Sequence, residues 1–548
     1  MSATTTRLTA LLAVATVVIS MPAAAAWAIE PPVVAEGPPP ADPEPAPDRP
    51  MRQVSDCVQT LALPGSDFRE MPPGSQMLDM PAAWKESTGV GVVVGIIDTG
   101  VAAQPRLPHL MPGGDYVMGS SGDGLSDCDG HGTVVASLIG AAPAGAPLPP
   151  RPAGALPAGE PPAPEASPPA GPAAPEASAA PPPAPPAPAP AAPAPASPRR
   201  FEPPAANAPA WGPAPQAPVI ETPLAPPPAE GLDALVGIAP DATLISIRQS
   251  AQTYGFAQPL EGENPQEIRR AGDINTLARA VVHMANLGAK VINISVMSCV
   301  PVGKPLDQTA LGEAVRYAAV ERDAVIITAA GNAGTEGCTG QNPDPLVGGP
   351  DPLGWDSVKT IATPAWFTDY VLAVSATDSF GVPLTGQAAS VHGPWVGLAA
   401  PGTEIVGLST GGQLINASID QDKVRPISGS SFAAAYVSGT AALVRAKFPN
   451  LSAHQVIHRL QATAHPPPSG RDTVIGYGVV DPVAALTWDV DPGELLPPAA
   501  HKPLHVEPPP PAPDARPRTG AAIAAALAVL VIGVTSWVMT VKRRRGRL

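Results

Sequence analysis

The sequence predicts an α/β protein, a doubly wound parallel sheet with helices on both faces, and three observations lead there. Between residues 236 and 329, apolar runs of strand length alternate with segments of helix length. The first apolar run, residues 90–97, is hydrophobic or glycine at every position, as a strand covered on both faces must be. Short glycine-bearing polar motifs close several runs, where parallel sheets of this kind collect their binding residues.

Taken in order, residues 90–97 form the first strand, closed by Asp98-Thr99-Gly100. Residues 131–139 read as a buried helix whose small side chains permit close packing. The pattern then stops: residues 142–230 are almost wholly Pro, Ala, Gly and Glu, a composition suited to polyproline II or disorder. It resumes at 236–240, with a strand at 243–247, a helix at 274–287 and a strand at 290–296. A helix at 310–321 and a strand at 324–329 follow, then a helix at 432–444 and a last folded element at 479–486.

Composition limits how much of the chain folds. Of 548 residues 79 are proline, only 14% are charged, and alanine inflates a hydrophobic share of 44%. The Pro/Ala-rich stretches cannot bury enough apolar area to offset chain entropy. What remains, 55–140 and 232–487, is roughly 340 residues, enough for one large core. A net charge of −15 excludes the basic face of a nucleic-acid binder.

Both ends carry targeting information. Residues 1–28 read as a signal peptide, an apolar run behind Arg7 followed by small residues, with cleavage between Ala24 and Ala28; a retained N-terminal anchor is the alternative. Residues 520–541 are uncharged and apolar, about 22 residues, long enough for a transmembrane helix. The basic tail at 542–548 puts the C-terminus in the cytoplasm and the large domain outside the plasma membrane. Between these ends lie an N-terminal extension (29–75), the main domain (76–487, with 142–230 as an inserted loop) and a Pro-rich linker (488–519). The four cysteines of such an exported chain imply two disulfides, with three pairings open.

Three motifs carry the chemistry. Asp98 lies in Ile97-Asp-Thr-Gly100, His131 in Asp129-Gly-His-Gly-Thr133, and Ser431 in Ser428-Gly-Ser-Ser-Phe-Ala433. A serine hydroxyl becomes a nucleophile when a histidine accepts its proton, and a buried carboxylate fixes that histidine's tautomer. Ser431 opens a small-residue helix, so its N–H points at a developing oxyanion with the helix dipole behind it. Asn332, in Ala329-Ala-Gly-Asn-Ala-Gly334, follows a strand and supplies a second oxyanion donor. The other histidines, such as His283 and His392, lack such a setting and are expected to be core or surface residues.

The order Asp, His, Ser is that of the subtilisins. With Gly331-Asn332 and Gly237-Ile-Ala-Pro240, the three motifs resemble the subtilase family over about residues 76–486, the insert excepted. The resemblance implies a serine endopeptidase of subtilisin-like fold that needs neither metal nor organic cofactor. It also implies that Asn293, Ile294, Ser295, Val296 and Met297 form the strand that pairs with substrate backbone. Two residues depart from the family pattern: Ala435 replaces a proline, and Met297 replaces a glycine near the pocket for the residue before the scissile bond.

The signal peptide, cysteine-bearing extension, Pro-rich linker and C-terminal anchor further resemble the mycosins, membrane-anchored proteases of type VII secretion systems. That likeness implies the pairing Cys57–Cys128 and Cys299–Cys338, exported protein substrates, and partners in a secretion membrane complex. It leaves open a structural role in that complex with proteolysis secondary. The extension is too short for a folded inhibitory propeptide, and a Cys57–Cys128 bond would clamp it beside His131. The insert, with its dibasic Arg199-Arg200, is either a docking or processing arm or a tolerated loop.

Overall fold

The computed structural model describes residues 29–37, 40–145, 233–258, 265–304, 306–334, 338, 340–345, 349–420, 423–500 and 516–545. Residues 1–28, where a signal peptide is expected, residues 146–230 of the insert, residues 501–515 of the expected linker and residues 546–548 of the basic tail lie outside them.

Seven strands form one parallel sheet: β1 (Val93–Asp98), β2 (Leu110–Asp115), β3 (Thr243–Arg248), β4 (Val291–Ile294), β5 (Val325–Ala329), β6 (Val371–Thr377) and β7 (Val396–Pro401). Their spatial order is β7-β6-β5-β4-β1-β3-β2. The helices that cover it are α1 (His131–Gly140), α2 (Pro265–Asn286), α3 (Thr309–Arg316), α4 (Ser430–Lys447), α5 (Ala453–Ala462) and α6 (Pro482–Thr487). Alternation along β1 sends Val94 and Ile96 into one apolar layer, with α1, α4, α5 and α6. Val93 and Ile97 enter the other layer, with α2 and α3. Two-sided burial is what an unbroken apolar run encodes.

The doubly wound sheet matches the expectation, with informative differences at its margins. β2 is the sequence Leu-Met-Pro-Gly-Gly-Asp, which carries no strand-like pattern. It is the edge strand, paired with β3 alone, so the missing N–H of Pro112 costs no ladder bond. α2 begins at Pro265, earlier than the apolar spacing from 274 suggests, because its first two turns are polar. β4 ends at Ile294, and the chain leaves the sheet at Ser295.

The extension binds along the domain. Ile29 and Val34 pack against the second apolar layer. Asp42 meets His283 Nδ1 and Asn286 Nδ2, each at 2.8 Å, and Asp48 pairs with Arg279. Met51–Gln53 adds antiparallel to Tyr254–Phe256, and Thr60–Leu61 to Ala417–Asp420. His283 thus has a role that its sequence context does not reveal. Across the start and end of the insert, the Arg106 guanidinium donates to the carbonyls of Ala142 and Leu235, both at 2.6 Å, and pairs with Asp233. After α6 the chain stays on the domain farther than a linker from 488 implies: Ser452 Oγ donates to the Leu495 carbonyl at 2.6 Å.

The described residues beyond 500 form a separate unit. Its helix α7 (Arg516–Arg545) contains a stretch, Ala525–Arg543, with mean hydropathy 1.8, long and apolar enough to cross a membrane.

Candidate active site

Strand ends and helix starts converge on one cleft. β1 ends at Asp98, β4 ends one residue before Ser295, and β5 ends just before Ala330-Gly331-Asn332. α1 begins with His131, and Ser431 is the second residue of α4. The close approach of α1 to β1 needs glycine at 132. A β-carbon there would lie 2.0 Å from the Gly100 carbonyl oxygen and 3.1 Å from Asp98 Oδ1.

Asp98 is fully buried, and its Oδ1 accepts from His131 Nδ1 at 2.7 Å and from the Thr99 amide at 2.7 Å. That bond places the proton on Nδ1 and leaves Nε2 as the basic nitrogen. Burial pulls the His131 pKa down, but the carboxylates of Asp98, Asp127 and Asp129 outweigh it, and the net shift is upward from 6.5. The Phe432 ring stacks obliquely on the imidazole, centroids 5.2 Å apart.

Asp127 is a residue that motif reasoning missed. Its Oδ1 accepts from Thr99 Oγ1 at 2.9 Å and from the Gly130 amide at 2.8 Å. Its Oδ2 accepts from the Thr133 amide at 2.9 Å and from Thr133 Oγ1 at 2.6 Å. One carboxylate thus ties the strand end bearing Asp98 to the helix start bearing His131. Burial pushes its pKa up to about 6, against the opposing pull of the Thr133 and Thr99 hydrogen bonds. The available signal was a second acid in Asp127-Cys-Asp-Gly-His131, too common a pattern to single out.

Ser431 is buried, and its Oγ donates to the Ser295 carbonyl at 3.2 Å. At the second position of α4 its N–H has no intrahelical acceptor. Asn332 is oriented by the same helix start: its Oδ1 accepts from the Ser430 amide at 2.9 Å and from Ser430 Oγ at 3.1 Å. The amide therefore presents Nδ2 as its donor edge beside the first turn of α4. Ser430, like Asp127, was not legible from the motifs alone.

The stretch expected to pair with substrate is divided. Both edges of Asn293 and Ile294 are already filled, by β1 on one side and β5 on the other, so neither can receive another strand. The Asn293 side chain instead bonds Ser295 Oγ at 2.8 Å and Ser438 Oγ at 2.9 Å. Ser295, Val296 and Met297 lie beyond the sheet and are the part that borders the cleft. Ala435 is fully buried within α4, where a proline is not needed to continue the helix.

Both disulfides bind the site's surroundings. Cys57 is joined to Cys128, Cα atoms 4.6 Å apart, three residues before His131. Cys299 is joined to Cys338, Cα atoms 5.2 Å apart, next to Met297. Among the described residues there is no group of acidic, His and Cys side chains that could hold a metal ion. The chemistry available is acyl transfer through a hydroxyl, an imidazole and a buried carboxylate.

The chain as a whole is similar to known proteins. Residues 222–478 match the Subtilase family; the match takes in Asn332 and Ser431 and begins after Asp98 and His131. The chain is 52% identical to Mycosin-2 of Mycobacterium tuberculosis over 530 residues, 94% of this chain and 95% of that one. It is similar to the crystal structure of MycP1 from the ESX-1 type VII secretion system, with 37% identity, 86% of this chain and 100% of that chain covered, and a TM-score of 0.67. It is also similar to a chain of an intact ESX-5 inner membrane complex, with 43% identity, 93% and 100% covered, and a TM-score of 0.67.

Proposed function

This chain belongs to the subtilase family and, within it, to the mycosins, and from that premise we propose that it cuts exported proteins outside the plasma membrane with Ser431 as nucleophile. The observation that carries the proposal is the 2.7 Å bond from His131 Nδ1 to the buried Asp98, with the imidazole against Phe432, the residue that follows Ser431, and Asn332 bonded to Ser430, the residue that precedes it. Ser431 Oγ attacks the scissile carbonyl carbon while its proton passes to His131 Nε2. The oxyanion takes hydrogen bonds from Asn332 Nδ2 and the Ser431 amide. Collapse breaks the C–N bond, and the leaving amine takes the proton from His131. Water then repeats the sequence on the acyl-enzyme and restores Ser431.

Before substrate arrives, Ser431 Oγ spends its proton on the Ser295 carbonyl. A substrate strand laid along Ser295, Val296 and Met297 brings a backbone N–H to that same carbonyl, which releases Oγ to turn toward His131. Nucleophile and substrate compete for one acceptor, so binding itself arms the serine.

The apolar stretch in α7 anchors the protein, and the basic residues after it favour a cytoplasmic C-terminus. A second role, as a structural subunit of a type VII secretion membrane complex, is favoured by the likeness to a chain of the ESX-5 inner membrane complex. One experiment separates the two. A strain lacking the protein is complemented with wild type or with Ser431→Ala, and secretion and exported-protein sizes are compared. The proposal expects normal secretion with one exported protein left uncut. If every exported protein is trimmed as in wild type, Ser431 is not the nucleophile of a processing protease.

A further inference from the structure

We infer that Met297 fills the pocket for the side chain preceding the scissile bond, so that the enzyme accepts only a small residue there: glycine, alanine or serine. The inference rests on the protease function proposed above and specifies its substrate class.

The position of that pocket follows from the site itself. The scissile carbonyl must lie beside Ser431 Oγ with its oxygen toward Asn332 Nδ2. The residue that owns this carbonyl has its N–H two bonds from the scissile carbon. The acceptor next to Ser431 Oγ is the Ser295 carbonyl, at 3.2 Å. With N–H on Ser295 and C=O toward Asn332, the side chain of that residue enters the gap between two segments. One is Ser295, Val296 and Met297; the other is Ala330, Gly331 and Asn332.

That gap is occupied. Gly331 has φ +94° and no side chain, which opens its wall. A β-carbon built there would lie 2.5 Å from Met297 Cε and 2.9 Å from its Sδ, so the methionine methyl rests on bare glycine backbone. Behind it, Met297 Sδ lies 3.6 Å from Cys338 Sγ, in the disulfide to Cys299. Val391 closes the same corner, its Cγ2 3.3 Å from the Gly331 point. The thioether is thus held on several sides by apolar atoms and by sulfur, surroundings that suit it. A leucine or phenylalanine entering the gap must displace it from this packing, whereas an alanine methyl need not. With glycine at 297, both walls are bare and the gap is a pocket.

The test uses the full-length protein in detergent and two families of probes. Fluorogenic peptides with mixed flanking residues carry Ala, Leu or Phe before the scissile bond, and matching peptidyl phosphonates label Ser431 without turnover. For wild type, kcat/KM or the labelling rate should favour Ala over Phe by at least about 100-fold, the scale of a pocket closed to several carbon atoms. Met297→Gly should move that ratio by a similar factor toward Phe and Leu, and Met297→Ala by less. Equal use of Ala and Phe by wild type, or a ratio within about 3-fold of wild type in a folded Met297→Gly or Met297→Ala, overturns the inference. Absence of Ser431-dependent cleavage and of labelling by every probe removes the protease function itself, and the inference with it.

Discussion

At the residue scale, the site depends on how a few charges are arranged around one imidazole. Three carboxylates raise the His131 pKa above 6.5, more than burial lowers it. In the proposed mechanism His131 must be neutral to accept the Ser431 proton, so activity is lost as pH falls through this raised value. The acid limb of kcat/KM is therefore expected to have its midpoint above 6.5. Asp98→Asn removes the nearest of those charges and the acceptor that fixes the tautomer. It should shift the acid limb to lower pH and cut kcat by about 10⁴. A pH–rate profile of the two proteins checks both, and an unmoved acid limb in Asp98→Asn would count against Asp98 as the partner of His131. Asp98, His131, Ser431 and Asn332 stand out in the sequence because their neighbours are distinctive. Asp127 and Ser430 do not, because what marks them is a set of hydrogen bonds to residues in other segments.

At the scale of elements, the proposed catalysis depends on how closely α1 seats against the end of β1. Gly132 is the point of contact, with the Gly100 carbonyl 2.0 Å from where a β-carbon would be. Gly132→Ala forces the helix start away from the strand. The expected cost is about 1–3 kcal/mol of stability, as for other overpacked sites. The loss in kcat/KM should be larger than stability explains, about 100-fold, because His131 moves with the helix. Urea denaturation and peptide cleavage measure the two quantities, and an unchanged kcat/KM would mean that the helix start tolerates displacement. Element boundaries were legible where burial is two-sided throughout the apolar run, as in β3 and β5, whereas β1 begins three residues later than its run from 90 suggests, because Val90 is exposed. They were not legible for β2, whose Pro112, Gly113 and Gly114 are admissible only because it is an edge strand.

At the scale of the whole molecule, the extension behaves as part of the folded unit. It contributes Ile29 and Val34 to an apolar layer, Asp42 and Asp48 to pairs on α2, two short strands and the Cys57–Cys128 bond. The disulfide alone, closing 71 residues, contributes about 4 kcal/mol in the chain-entropy account. A variant lacking residues 29–62, with Cys128→Ser to remove the stranded thiol, should melt at a lower temperature and show no gain in kcat/KM. A rise in activity would identify the extension as an inhibitor instead. Thermal unfolding and peptide hydrolysis of the truncated and full-length proteins decide between the two.

The sequence by itself determined the fold class, an apolar stretch long enough to cross a membrane and the residues expected to carry the chemistry. All of these are written locally, in apolar periodicity, in run length and in motifs a few residues long. The tertiary structure decided what those groups do to one another. It set which carboxylate braces the histidine loop, that Asn293 and Ile294 are consumed by the sheet, and that Met297 closes against Gly331. Each of these brings together segments that lie apart along the chain, and no local pattern records the distance between them.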